Sequence, residues 1–227
     1  VSGWPSSFAL CTSKAIKEPR VKKRLAVLAG KDCPVYETSE EIYRKASATE
    51  TPQGLLLVMG QQQARFEDMV LPGKQAFLLV LDGVQDPGNA GAMIRTADAA
   101  GCSGIVLLKD NVDLFSDKTV RATMGSLFHL PVIQKVNMAD LQAFLKENDI
   151  RLLAAALDSS AQPHFQADFC TDIAIVFGNE GNGISAEMLQ AADNKVYIPM
   201  FGQAESLNVA TAAAIVLYEA VRQRHSQ

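Results

Sequence analysis

The chain has 227 residues, 48% hydrophobic and 20% charged, with a formal net charge of -4. That is enough chain to bury a core in one large or two small domains, and the mild acidity does not advertise a nucleic-acid binder. No apolar run approaches the roughly 18 residues needed to cross a bilayer. VSGWPSSFALCTSKAIKEPR lacks a basic start followed by an apolar stretch, so no signal peptide is expected.

Cys11, Cys33, Cys102 and Cys170 are scattered without a C-x-x-C pair, and His129, His164 and His225 show no ligand spacing. Neither a disulfide framework nor a metal site is expected, and a reducing cytoplasm is the expected location. The charge is unevenly spread. Lys14, Lys17, Arg20, Lys22, Lys23, Arg24 and Lys31 lie close together, with Glu18 the one acidic residue between Lys14 and Lys31. Such a patch can engage phosphates even on an acidic protein, or form a solvated helix face.

From Val21 to Gln61 the pattern reads helix, short strand, helix, strand. Val21, Leu25 and Leu28 are spaced for one helix face, with Gly30 as the stop. PVYET suggests a short strand, and the next helix is entered at Thr38 or Ser39. Leu55 to Met59 is a buried-strand run. QQQARFEDMVLPGKQ has no strong period and reads as a linker. The expected organisation is a small α/β module over residues 1–72 and a larger domain over 76–227.

From Ala76 strands and helices alternate. AFLLVLDGV, GIVLLKD, HLPVIQKV, RLLAAALDSS, DIAIVFGNE and KVYIPM read as strands. Helices are expected at Gly91–Ala100, Ser116–Leu127, MADLQAFLKEND, Glu187–Ala192 and Asn208–Arg224. Uniformly apolar strands alternating with helices predict an α/β fold with a mainly parallel sheet covered on both faces. In such sheets ligands bind where strands give way to turns and helix N-termini.

Three segments mark that edge: NAGAMIRTADAAG (Asn89–Gly101), FGNEGNGIS (Phe177–Ser185) and IPMFGQAESLNVATA (Ile198–Ala212). In the first, Asp86-Pro87-Gly88 signals a turn. Gly91 permits close backbone approach, and Arg95 follows one helical turn later, on the same face and pointing to the pocket. A guanidinium there suits a phosphate; the plain alternative is a surface ion pair with Asp98. The second segment runs G-x-x-G-x-G, the reverse of the dinucleotide fingerprint and late in the sheet, so a nicotinamide enzyme is not expected. Glu180 there serves a hydroxyl or amine, or orders the loop by accepting backbone N–H groups. In the third, Ser206 reads as a helix cap or a site residue, and no nucleophile elbow accompanies it.

Taken in order, these segments resemble the SpoU (TrmH-type) RNA ribose 2′-O-methyltransferases of the SPOUT class, over roughly Ala76 to Arg224. The resemblance rests on N-x-G-x-x-x-R-x-A-D at Asn89–Asp98, the G-N-E-G-x-G-I loop, and the I-P-M…E-S-L-N-V-A run. TPQG and the basic helix look like the small RNA-binding module often fused in this family, here shorter, as if its first strand or helix were absent. The resemblance implies a C-terminal trefoil knot, which composition cannot predict. It implies S-adenosylmethionine held by Gly178, Ile198 and Leu207, with Leu157, Met200 and Asn208 nearby. It gives the key catalytic role to Arg95, with Asn89, Glu180, Ser206 and Asn208 around it. It also implies a homodimer with its active site across the interface; Val209, Ala213, Val216 and Ala220 would contribute to that interface or pack within one chain. The implied reaction is methyl transfer to a 2′-hydroxyl of structured RNA, ribosomal in preference to transfer RNA. A non-catalytic RNA-binding knot in ribosome assembly is the alternative, and a nucleotide-binding α/β protein unrelated to RNA a third reading.

Overall fold

The computed structural model describes residues 3–226 apart from 48, 50 and 63. The chain divides into two compact units, Val1–Gln62 and Gln63–Gln227.

The first unit runs β1 (Ser6–Thr12), α1 (Pro19–Ala29), β2 (Val35–Thr38), α2 (Glu40–Ala46) and β3 (Leu55–Met59). Its sheet is ordered β2-β1-β3, with β1 parallel to β2 and antiparallel to β3. The sequence reading placed no strand before Val21, whereas the structure has one there, β1, as the central strand of this sheet. Its small Ala9 and Cys11 are buried, and Ala9 packs with Leu28 of α1 and Cys33. Small residues of low hydropathy contrast hide the alternation that usually identifies a strand. Ser39 caps α2 by accepting the Ile42 N–H at 3.3 Å, as its position suggested.

The second unit contains β4 (Phe77–Asp82), α3 (Pro87–Ala99), β5 (Gly104–Leu108), α4 (Asp117–Ala122), β6 (Val132–Val136), α5 (Met138–Glu147) and β7 (Arg151–Ala155). There follow β8 (Gln162–Pro163), β9 (Ile173–Gly178), α6 (Ala186–Ala191), β10 (Asn194–Tyr197) and α7 (Val209–His225). The seven strands are ordered β6-β5-β4-β9-β7-β10-β8, and every pairing is parallel. Alternate residues of β4 serve two cores. Phe77, Leu79 and Leu81 pack with α3 and α7, while Leu78 and Val80 pack with α5 and α6. Both faces of the sheet are therefore dry, which is why its strands read as continuous apolar runs.

Phe66, Met69 and Val70 join the second core, and the Phe66 ring stacks on Phe144 at 4.4 Å. The segment read as a linker behind the first module is thus packed onto the second unit. Helix α3 begins at Pro87, earlier than expected, with Asp86 accepting the Asn89 N–H at 2.7 Å. Asp-Pro-Gly is a cap followed by a first turn with proline at its favoured place, not a separate turn. Helix α4 ends early because Met124 and Gly125 take positive φ. Ala213, Val216 and Ala220 of α7 are buried within this chain, and Val209 packs against the same core; the apolar stripe is used internally.

The C-terminal end of α7 is tied back by Arg224. Its guanidinium donates to the carbonyls of Phe169 at 2.8 Å, Ala76 at 3.2 Å and Thr171 at 2.5 Å, and lies over the Phe77 ring at 4.6 Å. Arg224→Ala takes a donor from the Phe169 and Thr171 carbonyls, while Ala76 keeps the Ile173 N–H, and is expected to cost about 2–3 kcal/mol in urea denaturation. Arg224→Lys should recover less than half of that, since one ammonium cannot reproduce the planar fork.

Candidate functional site

Parallel pairing brings the C-terminal ends of β4, β9 and β7 to one edge, beside the point where strand order reverses between β4 and β9. Gly178 ends β9 there. A side-chain carbon at 178 would sit 2.2 Å from the Gly183 carbonyl carbon, so the loop that follows folds back over a residue that must be glycine. Asn179 organises this loop. Its side-chain oxygen accepts from Gly181 N at 2.8 Å and Asn182 N at 2.9 Å, and its amide donates to the Gly83 carbonyl at 2.8 Å. Asp82 accepts the Ser185 N–H at 2.8 Å. Loop ordering therefore belongs to Asn179 and Asp82, neither of which the sequence reading singled out, and not to Glu180. An Asn between glycines was the available signal, as an Asx turn.

A cavity of about 740 Å³ opens at this edge. Leu157, Gly178, Glu180, Ile198, Met200, Ser206, Leu207 and Asn208 all line it, so every expected cofactor-binding residue and three of the catalytic set meet in one place. Leu157 is 67% exposed and Leu207 37% exposed, apolar surface left open toward a ligand.

Asn208, not Ser206, caps α7: its side-chain oxygen accepts from Ala210 N at 3.0 Å and Thr211 N at 3.3 Å. Ser206 is exposed and free of that task. With its oxygen committed to the helix, Asn208 turns its amide outward and donates to the Asn89 oxygen at 2.9 Å. Asn89 in turn donates to Glu180 at 2.8 Å. One directional chain thus joins all three marked segments. It poises Glu180 as an acceptor, which an ionised carboxylate satisfies.

Arg95 does not line the cavity. It is exposed and, among the described residues, has no ion-pair partner. The alternative, a surface pair with Asp98, does not form, because Asp98 pairs with His129 at 2.8 Å. Gly91 likewise faces away from the pocket. A side-chain carbon there would lie 2.3 Å from the Ala122 Cβ, so this glycine serves the close packing of α3 on α4.

The loop carrying Leu157 is pinned by Asp158, which accepts from the Ser160 hydroxyl at 2.6 Å, Lys195 at 2.9 Å and the Ser160 N–H at 2.8 Å. Chiefly through the Ser160 hydroxyl, then Lys195, these donors hold its carboxyl well below the usual carboxylate range.

Residues 76–218 match the profile of the SpoU rRNA Methylase family. A Bacillus subtilis protein named 23S rRNA (guanosine(2553)-2'-O)-methyltransferase RlmP is 38% identical over 213 residues, 90% of this chain and 83% of its own length. A Shewanella oneidensis 23S rRNA (guanosine-2'-O-)-methyltransferase RlmB is 40% identical over 150 residues, 66% of this chain and 61% of its own. The AdoMet-bound rRNA methyltransferase from Sinorhizobium meliloti matches with a TM-score of 0.85 and 32% identity, over 97% of this chain and 81% of that one. The SpoU methyltransferase AviRb from Streptomyces viridochromogenes, in complex with AdoMet, matches with a TM-score of 0.87 and 27% identity, over 99% and 85%.

The hydrogen-bond chain makes a reversible prediction. Asn89→Asp places two carboxylates together and weakens ligand binding in the cavity. Adding Glu180→Gln restores donor to acceptor with the polarity reversed, so the double variant should bind more tightly than Asn89→Asp alone in calorimetry. Asp158 gives a pH prediction. Its folded value is depressed, so its contribution is full above about pH 4, the unfolded value, and fades as pH falls through the folded one. Asp158→Asn should lower Tm at neutral pH, with the gap to wild type narrowing below about pH 4 in thermal melts.

Proposed function

We propose, because the chain belongs to the SpoU rRNA methylase family, that it is an S-adenosylmethionine-dependent RNA methyltransferase acting on a ribose 2′-hydroxyl. Structured RNA is the substrate class, ribosomal in preference to transfer RNA. The observation that carries this reading is the union of Asn89, Glu180 and Asn208 by hydrogen bonds at the cavity edge. Of the comparisons, none supports the non-catalytic alternative, and relatives are named as 23S rRNA 2′-O-methyltransferases.

The cavity fits the cofactor. About 740 Å³ is within the range of ligand pockets. Leu157, Ile198, Met200 and Leu207 offer apolar contact for a nucleoside, and Glu180 and Glu205 offer negative charge for a cationic ligand. When bound, S-adenosylmethionine supplies an electrophilic methyl group on a sulfonium. The protein's share is then to place the hydroxyl in line with that methyl and to assist loss of its proton. Arg95 is a poor literal base, since a guanidinium holds its proton tightly. Exposed and, among the described residues, without an ion-pair partner, it suits a substrate phosphate, which can itself take up the proton. Ser206, relieved of capping, and Asn208 orient the ribose and the loop between β10 and α7.

RNA contact is assigned chiefly to the first unit. Arg20, Lys22, Lys23 and Arg24 of α1 are exposed, whereas residues 75–227 carry ten basic against seventeen acidic side chains. The trefoil knot of the β9–α7 region is part of the proposal. The strand order, with β7 between β9 and β10 and α7 on the face of α3, supports it. A homodimer with the active site across its interface, working in the cytoplasm, completes the reading. Among the described residues no helix is long and apolar enough to cross a membrane.

Calorimetry and turnover test the assignment together. Arg95→Ala should retain near-equimolar binding of S-adenosylmethionine and lose about 100-fold or more in turnover on ribosomal RNA. Arg95→Lys turning over at the wild-type rate would remove the need for a bidentate anchor and a guanidine base alike.

A further inference from the structure

Besides Glu180, the cavity wall holds a second carboxylate, Glu205 of the E-S-L-N-V-A run, and among the described residues it holds no Lys, Arg or His. Glu180 has one oxygen engaged by Asn89. Glu205 has no such tie; it is exposed and, among the described residues, pairs with no cation. An apolar pocket for an adenosine needs only shape and hydrogen bonds, so two carboxylates on a wall without a cation create a negative potential that adenosine itself does not call for.

The two forms of the ligand differ by a methyl group and by the charge it puts on sulfur. S-adenosylmethionine has a cationic sulfonium beside its amino-acid ammonium and carboxylate. Once the methyl carbon has bonded to the ribose oxygen, the C–S electron pair stays on sulfur, leaving a neutral thioether. Adenosine, ammonium and carboxylate are the same before and after. An interaction that senses the sulfur's charge therefore tells spent ligand from fresh, as does contact with the methyl itself.

We infer that Glu205 is a specificity-determining residue of this kind: its carboxylate favours the sulfonium form and so eases departure of the thioether product. The inference rests on the cofactor reading of the cavity. Because Glu205 is exposed, the effect is modest and screened by salt.

The test is calorimetric titration of wild type and Glu205→Gln, each with S-adenosylmethionine and with S-adenosylhomocysteine. The expected result is S-adenosylmethionine weakened about 3- to 5-fold, with S-adenosylhomocysteine nearly unchanged. Glu205→Asp should keep part of the preference, which separates charge from side-chain shape, and the shift should shrink at high salt. Equal weakening of both ligands, as an ammonium contact would give, overturns the inference, and so does an unchanged pair of affinities. If wild type binds neither ligand, the cofactor reading falls and this inference falls with it.

Discussion

The arrangement at the sheet edge depends on a demand of helix α7. Its first backbone N–H groups have no partner within the helix, and Asn208 supplies one through its side-chain oxygen. An amide has one oxygen and one nitrogen, so satisfying the helix settles which way the rest of the group points. The amide then reaches Asn89 on α3, which reaches Glu180 on the loop after β9. A requirement of local helix chemistry becomes the orientation of a carboxylate 28 residues earlier in sequence. Each link is a single hydrogen bond worth about 1 kcal/mol. The chain acts through direction more than strength.

That chain is possible because the sheet brings its parts within reach. Parallel pairing puts the ends of β4, β9 and β7 on one edge, and the reversal of strand order leaves a crevice there. The β9 loop enters the crevice through the backbone contact at Gly178, and Asn179 and Asp82 consume several of its polar groups. What remains open is an apolar wall with two carboxylates, while the guanidinium of Arg95 stays outside, in solvent. In the proposed reading, cofactor and substrate chemistry thus occupy distinct surfaces of the second unit.

Charge follows a similar division. The exposed cations of α1 lie on the first unit, while the second unit carries an acidic excess. A polyanion would find little to attract it on the acidic unit except Arg95 and the few other exposed cations. A cationic small molecule would be welcome in its cavity. The pairing of His129 with Asp98 keeps one nearby acid from Arg95, a local instance of the same separation.

Most strands of the second unit were legible because both their faces are buried, so every position must be apolar and the runs stand out. The glycine- and asparagine-marked segments were legible because tight turns admit few residue types. Strand β1 was not, since Ala9 and Cys11 are buried for their small size against Leu28 and Cys33 and give no hydropathy contrast. Nor were the roles within the site. Ser206 and Asn208 are both competent caps, and only the geometry of the loop decided for Asn208. Gly91 signalled a close approach, but which neighbour came close was a matter of how α3 meets α4. Asp98 had two nitrogen partners within reach, Arg95 in sequence and His129 in space, and the fold chose the second. The sequence by itself determined which segments form strands, helices and tight turns, because those depend on local sterics and burial. The tertiary structure alone decided which polar groups are satisfied by one another and which are left for a ligand, because hydrogen-bond partners distant in the chain meet only once the sheet is built.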